Sequence, residues 1–358
     1  MTNNLAVVGG GVIGLSAAWR AARTGREVTL YDPEPVRGGA SWLAGGMLAP
    51  VTEAWPGEED VLRLGEESLR RWPGFARDLG KEGVDPGLAE HGTLVVAFDS
   101  ADAGHLDILA GYLHSIGRAA ERLTGREAKR LEPGAGSVRS GLHVPGDLAV
   151  DNRKLLEALH AACVRHGVRF VRERVETLPD AGAVVLAAGA WTGRLHPRLA
   201  GAVRPLKGEI LRLRPRRGCL PPPARTIRAV VEGRPIYLVP RGASELVLGA
   251  TQYEAGFDQS VTARGVRELL EGAERVFPAI TEYELVETAA GLRAGSRDVL
   301  PYIGVLDDGV FAATGHHRNG LLMAPVTADA VVAWLEGEEP PEGVDAASPA
   351  RLHQKEHV

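Results

Sequence analysis

The apolar residues at the start of the chain alternate between a strand pattern and a helix pattern. Residues 5–8 form a short apolar run typical of a buried strand, and residues 12–24 have helical spacing that ends near Gly25. Residues 27–31 predict a second strand. Together these stretches predict one βαβ unit over residues 5–32.

Later stretches return to this pattern. Asp151 or Asn152 is placed to cap a helix with apolar side chains at helical spacing, which stops at Gly167 and leads into a strand. Residues 181–193 read as an apolar strand that runs into a glycine-rich turn, and residues 321–335 predict a final helix. We expect these pieces to join the same parallel sheet.

Two other regions differ in composition and in their pattern of apolar and polar residues. Residues 38–55 are too rich in Gly and Ala for a surface helix and predict a loop packed against something close. Residues 203–280 contain alternating, β-branched strands separated by turns, which is typical of an antiparallel sheet. A helix is expected over residues 61–80 and a strand element over residues 90–98.

The expected fold class is α/β, with a doubly wound, Rossmann-like domain and an inserted, mostly antiparallel α+β domain. The expected division is residues 1–80, 147–203 and 285–340 for the doubly wound domain, 81–146 and 204–284 for the inserted domain, and 341–358 for a polar tail. A cleft at the boundary of two such domains is a favoured place for a ligand.

Composition narrows the classes of function. The chain has 358 residues, a net charge of -5, and 44% hydrophobic and 24% charged residues, so it lacks the basic excess of nucleic-acid-binding proteins. No apolar stretch approaches the roughly 20 residues that cross a bilayer. The first apolar run is interrupted by glycines and has no Lys or Arg before it, which disfavours a signal peptide. We therefore expect a cytoplasmic protein without a membrane partner.

The sequence has none of the motifs that are typical of metal sites, disulfide frameworks or hydrolases. Cys163 and Cys219 are too few for a disulfide framework or a cysteine-based metal site. The adjacent His316 and His317 are poorly placed to share one metal, and no H-E-x-x-H motif occurs. The chain also has no G-x-S-x-G motif and no Walker loop. No metal site is expected.

The glycines after the first strand match the dinucleotide-binding fingerprint. Gly9, Gly11 and Gly14 fit G-x-G-x-x-G between a strand and a helix. Gly9 permits a tight turn, Gly11 lets the backbone approach a pyrophosphate, and Gly14 lets the helix pack on the strand. Asp32, at the end of the second strand, is placed to bind an adenosine ribose, and its charge disfavours a 2′-phosphate. NAD and FAD both remain compatible with this motif.

The rest of the chain favours FAD. The loop of residues 38–50 and the C-terminal segment "TGHHRNGLLMAP" suggest a cofactor whose second end has its own binding site. The helix predicted to begin near Gly320 would offer free N–H groups and a positive dipole end to the pyrimidine edge of a flavin.

A wider set of motifs is similar to the FAD-dependent amine oxidases of the D-amino-acid oxidase superfamily, most closely to their glycine-oxidising, thiamine-pathway branch. The motifs include "ASWLAGGMLAPVTE", "VVLAAGAW", "VRPLKGEILRL", "YLVPR" and "GLRAGSRDVLPYIG". The resemblance implies a flavin domain of the glutathione-reductase type. Some relatives hold flavin covalently through a cysteine, but Cys163 falls on a predicted helix and Cys219 in a proline-rich loop, so noncovalent FAD is expected. The resemblance further implies cofactor contacts at Val12, Ile13, Asp32, Ala40, Ser41, Gly45, Gly46, Met47, Val175, Gly315, His316, His317, Arg318, Asn319, Gly320, Leu321 and Leu322.

Three residues are candidates for binding the substrate. The resemblance assigns the substrate carboxylate to Arg293 of the G-L-R motif, and a guanidinium is the natural bidentate partner of a carboxylate. Arg318 matches a second family arginine, and the phenol of Tyr237 could bind the carboxylate or cover the flavin. The alternative for Arg293 is a structural ion pair, and for Arg318 an exposed position on the surface. For Tyr237 it is packing within a half-buried sheet. Relatives commonly carry Pro at Ala294, and Phe or Tyr at His317.

The expected reaction is oxidation of a small amino acid, glycine foremost, to its imine by hydride transfer to flavin N5, with dioxygen reduced to hydrogen peroxide. Hydrolysis of the imine gives glyoxylate and ammonia, and no protein general base is required. The alternatives are a D-amino-acid dehydrogenase or a sarcosine-type oxidase of the same fold, and a flavin-binding subunit without turnover. The resemblance also implies a homo-oligomer.

Overall fold

A computed structural model describes residues 3–353 of the chain. Its strands are β1 Asn4–Val8, β2 Glu27–Tyr31, β3 Met47–Leu48, β4 Leu88–Ala89, β5 Thr93–Ala97, β6 Glu121–Thr124, β7 Ser140–Val144, β8 Leu148–Val150, β9 Arg169–Val171, β10 Ala183–Leu186, β11 Arg204–Arg214, β12 Thr226–Val231, β13 Arg234–Arg241, β14 Glu245–Gly249, β15 Glu284–Gly295, β16 Tyr302–Asp307 and β17 Val310–Thr314. Its helices are α1 Val12–Arg23, α2 Ala40–Leu43, α3 Glu59–Lys81, α4 Ser100–Ser115, α5 Gly125–Leu131, α6 Asn152–Arg165, α7 Ala263–Val276 and α8 Ala324–Glu336.

A six-stranded sheet has the order β16-β17-β10-β1-β2-β9. The strands from β17 to β9 run parallel, and β16 is antiparallel to β17. Since α1 connects the parallel neighbours β1 and β2, the predicted βαβ unit is confirmed. The α/β fold class is confirmed with it.

The alternation of side chains along β1 explains why this sheet is buried. Leu5 and Val7 belong to a core that also contains residues of α1, α3, α6 and α8. Ala6 and Val8 point to the other face, where they pack with residues such as Leu199 in the 3₁₀ helix Pro197–Leu199. Both faces are therefore covered, as a parallel sheet requires.

An eight-stranded sheet has the order β15-β11-β14-β13-β12-β5-β7-β6. Neighbouring strands within this sheet run antiparallel, except β5 and β12, which run parallel. The predicted antiparallel sheet is therefore confirmed. The helix α7 packs against it through Leu269, Ala273 and Val276. A small third sheet joins β3, β8 and β4.

The structure differs from the sequence-based expectations in several places. The whole of β15 pairs with β11, so the antiparallel sheet continues to Gly295, beyond the expected division at residue 285. Helices α4 and α7 were not predicted, and the loop of residues 38–55 contains α2 and β3. The last helix begins at Ala324 instead of residue 321, because residues 319–323 form a turn before it.

The expected polar tail is the clearest correction. Val344 and Ala347 are buried in the core beside the six-stranded sheet, and the guanidinium of Arg351 donates to the carbonyl of Leu300 at 2.7 Å. Buried apolar side chains and the hydrogen bonds of Arg351 thus hold this mostly polar stretch against the rest of the protein. The end of the expected tail, residues 354–358, lies outside the described residues. Within residues 3–353, no helix is both long and apolar enough for a bilayer crossing.

Candidate functional site

The turn after β1 depends on glycine at two positions. Gly9 has a φ of +113°, and a Cβ atom added there would lie 2.3 Å from the carbonyl oxygen of Ala187. A Cβ atom added at Gly14 would lie 1.9 Å from the carbonyl oxygen of Gly9, so α1 packs directly on the turn. At Gly11 an added Cβ atom would lie 3.1 Å from the Ser41 hydroxyl, closer than ordinary van der Waals contact, so a side chain there would crowd the loop that borders the cleft.

Asp32 fixes the same turn from the end of β2. Its Oδ2 accepts the Gly10 N–H at 2.7 Å, and its Oδ1 accepts the Glu34 N–H at 2.8 Å. A carboxylate oxygen can accept more than one hydrogen bond, so ribose hydroxyls can still bind. The Ser41 hydroxyl accepts the Val12 N–H at 3.1 Å and joins the loop containing residues 40–47 to the N-terminus of α1.

Two residues that the sequence did not single out hold this loop. Asn152, at the start of α6, donates to the carbonyls of Ser41 at 2.9 Å and Trp42 at 2.7 Å. Arg241, on β13, donates to the carbonyl of Gly45 at 2.7 Å and to the Asn152 side chain at 3.0 Å. Burial lowers the pKa of Arg241 to about 10, so the guanidinium stays charged at neutral pH. The only signal for either residue was its place in a cap or a motif.

The turn before α8 offers backbone donors. Within residues 3–353, no acceptor is found for the N–H groups of Gly320, Leu321 and Leu322. The carbonyl of Leu322 is held by the Ser68 hydroxyl at 2.6 Å and the Trp72 indole at 2.9 Å, both on α3. Since unpaired N–H groups are costly in a buried turn, these donors fit a flavin edge that would satisfy them.

The adjacent histidines have different surroundings. His316 lies within hydrogen-bond distance of the Thr327 hydroxyl on α8, 3.0 Å away, and burial lowers its pKa to about 3. His317 has a φ of +50° and donates its N–H to the carbonyl of Ala294 at 2.8 Å. Burial, together with the nearby charge of Arg318, lowers the pKa of His317 to about 4. Both imidazoles are therefore neutral at physiological pH.

These elements surround a cleft of about 1390 Å³. Of the residues predicted to bind the cofactor, those lining it are Val12, Ala40, Ser41, Gly45, Gly46, Met47, His317, Arg318, Asn319, Gly320 and Leu321. Those outside its lining are Gly9, Gly11, Ile13, Gly14, Asp32, Val175, Gly315, His316 and Leu322. Val175 packs beside the six-stranded sheet with Tyr31 and Ala188.

Arg293 lies in this cleft with its charge unpaired. It comes from β15 and crosses the neighbouring strand at Gly208, where an added Cβ atom would lie 2.3 Å from the arginine Nη1. Its Nη1 donates to the carbonyl of Thr251 at 3.2 Å. No carboxylate of the described residues lies within ion-pair distance of it, which argues against the structural ion pair. A guanidinium in this setting can bind an anionic ligand.

Tyr237 stands in the same cleft between two glycines. Added Cβ atoms at Gly45 and Gly249 would lie 2.6 Å and 2.3 Å from its phenol ring and hydroxyl. Its hydroxyl has no hydrogen-bond partner among residues 3–353. Burial raises the pKa of this phenol, although the nearby Arg293 opposes the shift. The neutral hydroxyl is therefore free to donate to a ligand.

Arg318 also lines the cleft, but its charge is balanced. Its Nε lies 2.8 Å from Glu53 and its Nη2 lies 3.2 Å from Glu58. Glu53 also pairs with Arg228 at 3.3 Å. Burial would raise the pKa of Glu53, but the two arginines outweigh it and hold the pKa below its ordinary value. Neither glutamate was predicted, since nothing in the sequence links them to Arg318.

The glycine turn, the free N–H groups and the arginine cleft together define a dinucleotide-dependent oxidoreductase. A sequence profile described as FAD dependent oxidoreductase (DAO) matches residues 4–334. The chain belongs to this family, and its cofactor is FAD.

Similar proteins cover almost the whole chain. Glycine oxidase of Geobacillus kaustophilus is 31% identical over 360 residues, covering 94% of this chain and 93% of the relative. A Rhizobium etli protein, provisionally named a thiamine biosynthesis oxidoreductase, is 35% identical over 344 residues, covering 93% and 96%. The crystal structure of the Geobacillus kaustophilus glycine oxidase superposes with a TM-score of 0.89 at 30% identity, covering 99% and 98%.

Proposed function

We propose that this protein oxidises a small amino acid, glycine foremost, to its imine, which water hydrolyses to glyoxylate and ammonia. The observation that carries the proposal is the unpaired guanidinium of Arg293, which shares the cleft with the N–H donors of Gly320 and Leu321. The names of the relatives support the same substrate and a role in thiamine biosynthesis. Dioxygen as acceptor, a cytoplasmic location and a homo-oligomer are parts of this proposal.

The chain's own residues bind and orient the substrate. Arg293 would hold the carboxylate by charge-assisted hydrogen bonds, and the Tyr237 hydroxyl would donate to the same group. Arg318 would have a smaller share, because Glu53 and Glu58 already balance its charge. Bound FAD supplies the two-electron acceptor that is reoxidised by dioxygen to give hydrogen peroxide. No protein general base is needed if the amine binds in its neutral form.

The groups that would hold FAD lie partly in the lining of the cleft and partly outside it. Gly11 and Asp32 fit the pyrophosphate and ribose, and the loop of residues 40–47 borders the cleft beside them. The free N–H groups before α8 fit the pyrimidine edge. Of the cysteines, Cys163 is buried with its thiol 3.4 Å from the Leu15 carbonyl, and Cys219 is not in the cleft lining, which supports noncovalent binding.

The test is Arg293→Ala in the purified flavoprotein. Loss of a charge-assisted carboxylate contact costs about 2–3 kcal/mol, so we expect kcat/KM for glycine to fall about a hundredfold. Arg122→Ala is the control, because Arg122 lies on another strand of the same sheet, outside the cleft lining, where it pairs with Asp107 and donates to the carbonyl of Gly141 at 3.1 Å.

Peroxide production from glycine, sarcosine and D-alanine in air measures the substrate preference and the acceptor together. Unchanged glycine kinetics in Arg293→Ala would rule out the carboxylate assignment. Absence of peroxide with all three amines in the wild type would rule out the oxidase and favour a dehydrogenase or a subunit without turnover.

A further inference from the structure

A loop whose position is fixed by buried polar groups forms one wall of the cleft beside Arg293. This loop, residues 250–262, connects β14 to α7. The carbonyl of Thr251, near its start, accepts the hydrogen bond from Arg293 at 3.2 Å. The position of this carbonyl therefore helps to set the direction of the guanidinium.

Glu209 of β11 reaches the loop at three points. Its Oε2 accepts the Thr251 hydroxyl at 3.0 Å, and its Oε1 accepts the Tyr253 hydroxyl at 3.1 Å and the Thr262 N–H at 2.7 Å. Its own N–H donates to the Thr251 hydroxyl at 2.8 Å. Both ends of the loop are thus tied to one side chain, and Glu209 has no exposed surface.

The charge of Glu209 suits this task. Burial would raise its pKa, but the hydrogen bonds from Thr262, Thr251 and Tyr253 outweigh burial and hold the pKa below its ordinary value. A carboxylate has only acceptors, and its three partners all donate. An amide at this place would remove the negative charge and would require the Thr251 hydroxyl to change from donor to acceptor.

The neighbours of Glu209 in the "KGE" segment serve the same arrangement. Lys207 is buried and its Nζ lies 2.5 Å from Asp258 in the loop, while its backbone pairs with that of Tyr253. Gly208 leaves the space that the guanidinium of Arg293 occupies. Three consecutive residues of β11 therefore hold the loop and make room for the arginine.

We propose that Glu209 is a positioning residue for the carboxylate-binding site, acting on Arg293 through the loop of residues 250–262 and the carbonyl of Thr251. This inference rests on the proposed function only in taking Arg293 as the group that binds the substrate carboxylate. It predicts that loss of the Glu209 charge weakens carboxylate binding without affecting FAD.

The experiment measures binding of acetate, a carboxylate without an amine, from the change it causes in the visible absorption of the bound flavin. Glu209→Gln should raise the acetate Kd about tenfold, because part of a charge-assisted hydrogen-bond network is lost. It should raise the KM for glycine by the same factor, with little change in kcat and an unchanged flavin content.

The matched control is Glu132→Gln. Glu132 is also buried, and it accepts the N–H groups of Ala224 at 3.2 Å and Arg225 at 3.1 Å in another loop, outside the cleft. We expect it to lower the Tm as Glu209→Gln does and to leave the acetate Kd unchanged. Equal acetate affinity in both variants and the wild type would overturn the inference.

A double-mutant cycle tests the route through the arginine. In an Arg293→Lys background, Glu209→Gln should raise the acetate Kd less than about twofold, because residues that act through one another are not additive. A full tenfold rise in that background would show that Glu209 acts elsewhere. If Glu209→Gln does not fold, Tyr253→Phe removes one of the three ties and should raise the Kd about threefold, and no rise would contradict the inference.

The wild type separates this inference from the proposed function. A wild-type flavoprotein whose spectrum does not respond to acetate, and which makes no peroxide from glycine, contradicts the proposed function. A wild type that binds acetate, with a Glu209→Gln variant that binds it equally well, contradicts only the role of Glu209.

Discussion

The glycine turn after β1 and the arginine site beside β11 are built in opposite ways. The turn is made mostly by residues of one βαβ unit, with contacts to the Gly9 carbonyl oxygen and the Asp32 carboxylate, and the Ala187 carbonyl oxygen reaches it from another part of the chain. The arginine site is assembled from β11, β13, β15 and the loop of residues 250–262, which are distant in sequence. The first is rigid because backbone touches backbone. The second is adjustable because its contacts are the ends of side chains.

The largest expected effect is at the glycine turn after β1, where backbone touches backbone. Gly14→Ala places a Cβ atom 1.9 Å from the Gly9 carbonyl oxygen, and neither backbone can move without separating α1 from β1. We expect loss of bound flavin and a destabilisation of roughly 3 kcal/mol or more, on the scale of severe overpacking. Flavin content and thermal unfolding measure both effects.

Gly111→Ala is the control for this prediction. Gly111 is also inside a helix, but an added Cβ atom there meets nothing within 4 Å. It should keep its flavin and gain slightly in stability, because Ala is a better helix former than Gly. A flavin-replete Gly14→Ala variant with a wild-type Tm would contradict the rigid description of the turn.

In the arginine site beside β11, an added methyl group should weaken substrate binding and leave the thermal stability nearly unchanged. Gly208→Ala would place a Cβ atom 2.3 Å from the Nη1 of Arg293, which can swing away because it ends a flexible side chain. We expect the KM for glycine to rise about tenfold through misplacement of the guanidinium, with a nearly unchanged Tm. Gly146→Ala, where nothing lies within 4 Å, should change neither quantity. A large fall in Tm for Gly208→Ala would show that this site is rigid as well.

A smaller effect is expected from one hydroxyl. Tyr237→Phe removes a donor without a partner in residues 3–353, so the Tm should not change while the KM for glycine rises about threefold. For Tyr283→Phe we expect the opposite result, because the Tyr283 hydroxyl donates to the carbonyl of Leu220 at 2.7 Å in a buried cluster. That variant should lose thermal stability and keep its KM. Equal behaviour of the two variants would contradict the assignment of Tyr237.

A pH-dependent effect on stability is expected at His316, before α8. Burial lowers the pKa of His316 to about 3, below its ordinary value of 6.5, so the folded protein resists protonation that the unfolded chain accepts. The stability from this group is complete above pH 6.5 and is lost as the pH falls from 6.5 toward 3. The Tm of His316→Gln should therefore fall less over this range than that of the wild type.

The exposed His114 gives the control, since His114→Gln should follow the wild-type curve of Tm against pH. Parallel curves for His316→Gln and the wild type would show that His316 does not carry this pH dependence.

Local patterns were enough for the elements and for the nucleotide turn. The βαβ unit over residues 5–32, the helix capped at Asp151 and the antiparallel strands within residues 203–280 follow from periodicity and caps, because those signals act between near neighbours. The prediction of a polar tail is wrong because Val344 and Ala347, isolated among polar residues, form no periodic pattern in the sequence, yet both are buried in the core.

The sequence by itself determined that the chain has a dinucleotide-binding turn. Its signals are glycines at fixed spacing, a strand, a helix and Asp32, and all of them lie within one βαβ unit. Through the family resemblance the sequence also presented Arg293 as the main candidate for the substrate carboxylate, with Tyr237 and Arg318 as helpers, but it could not show which of the arginines is paired. Only the tertiary structure decided that Arg318 is balanced by Glu53 and Glu58, whereas Arg293 remains unpaired over Gly208. The physical reason is that a charge is free or neutralised according to what lies within a few ångströms, and those neighbours come from strands and loops far apart in the chain.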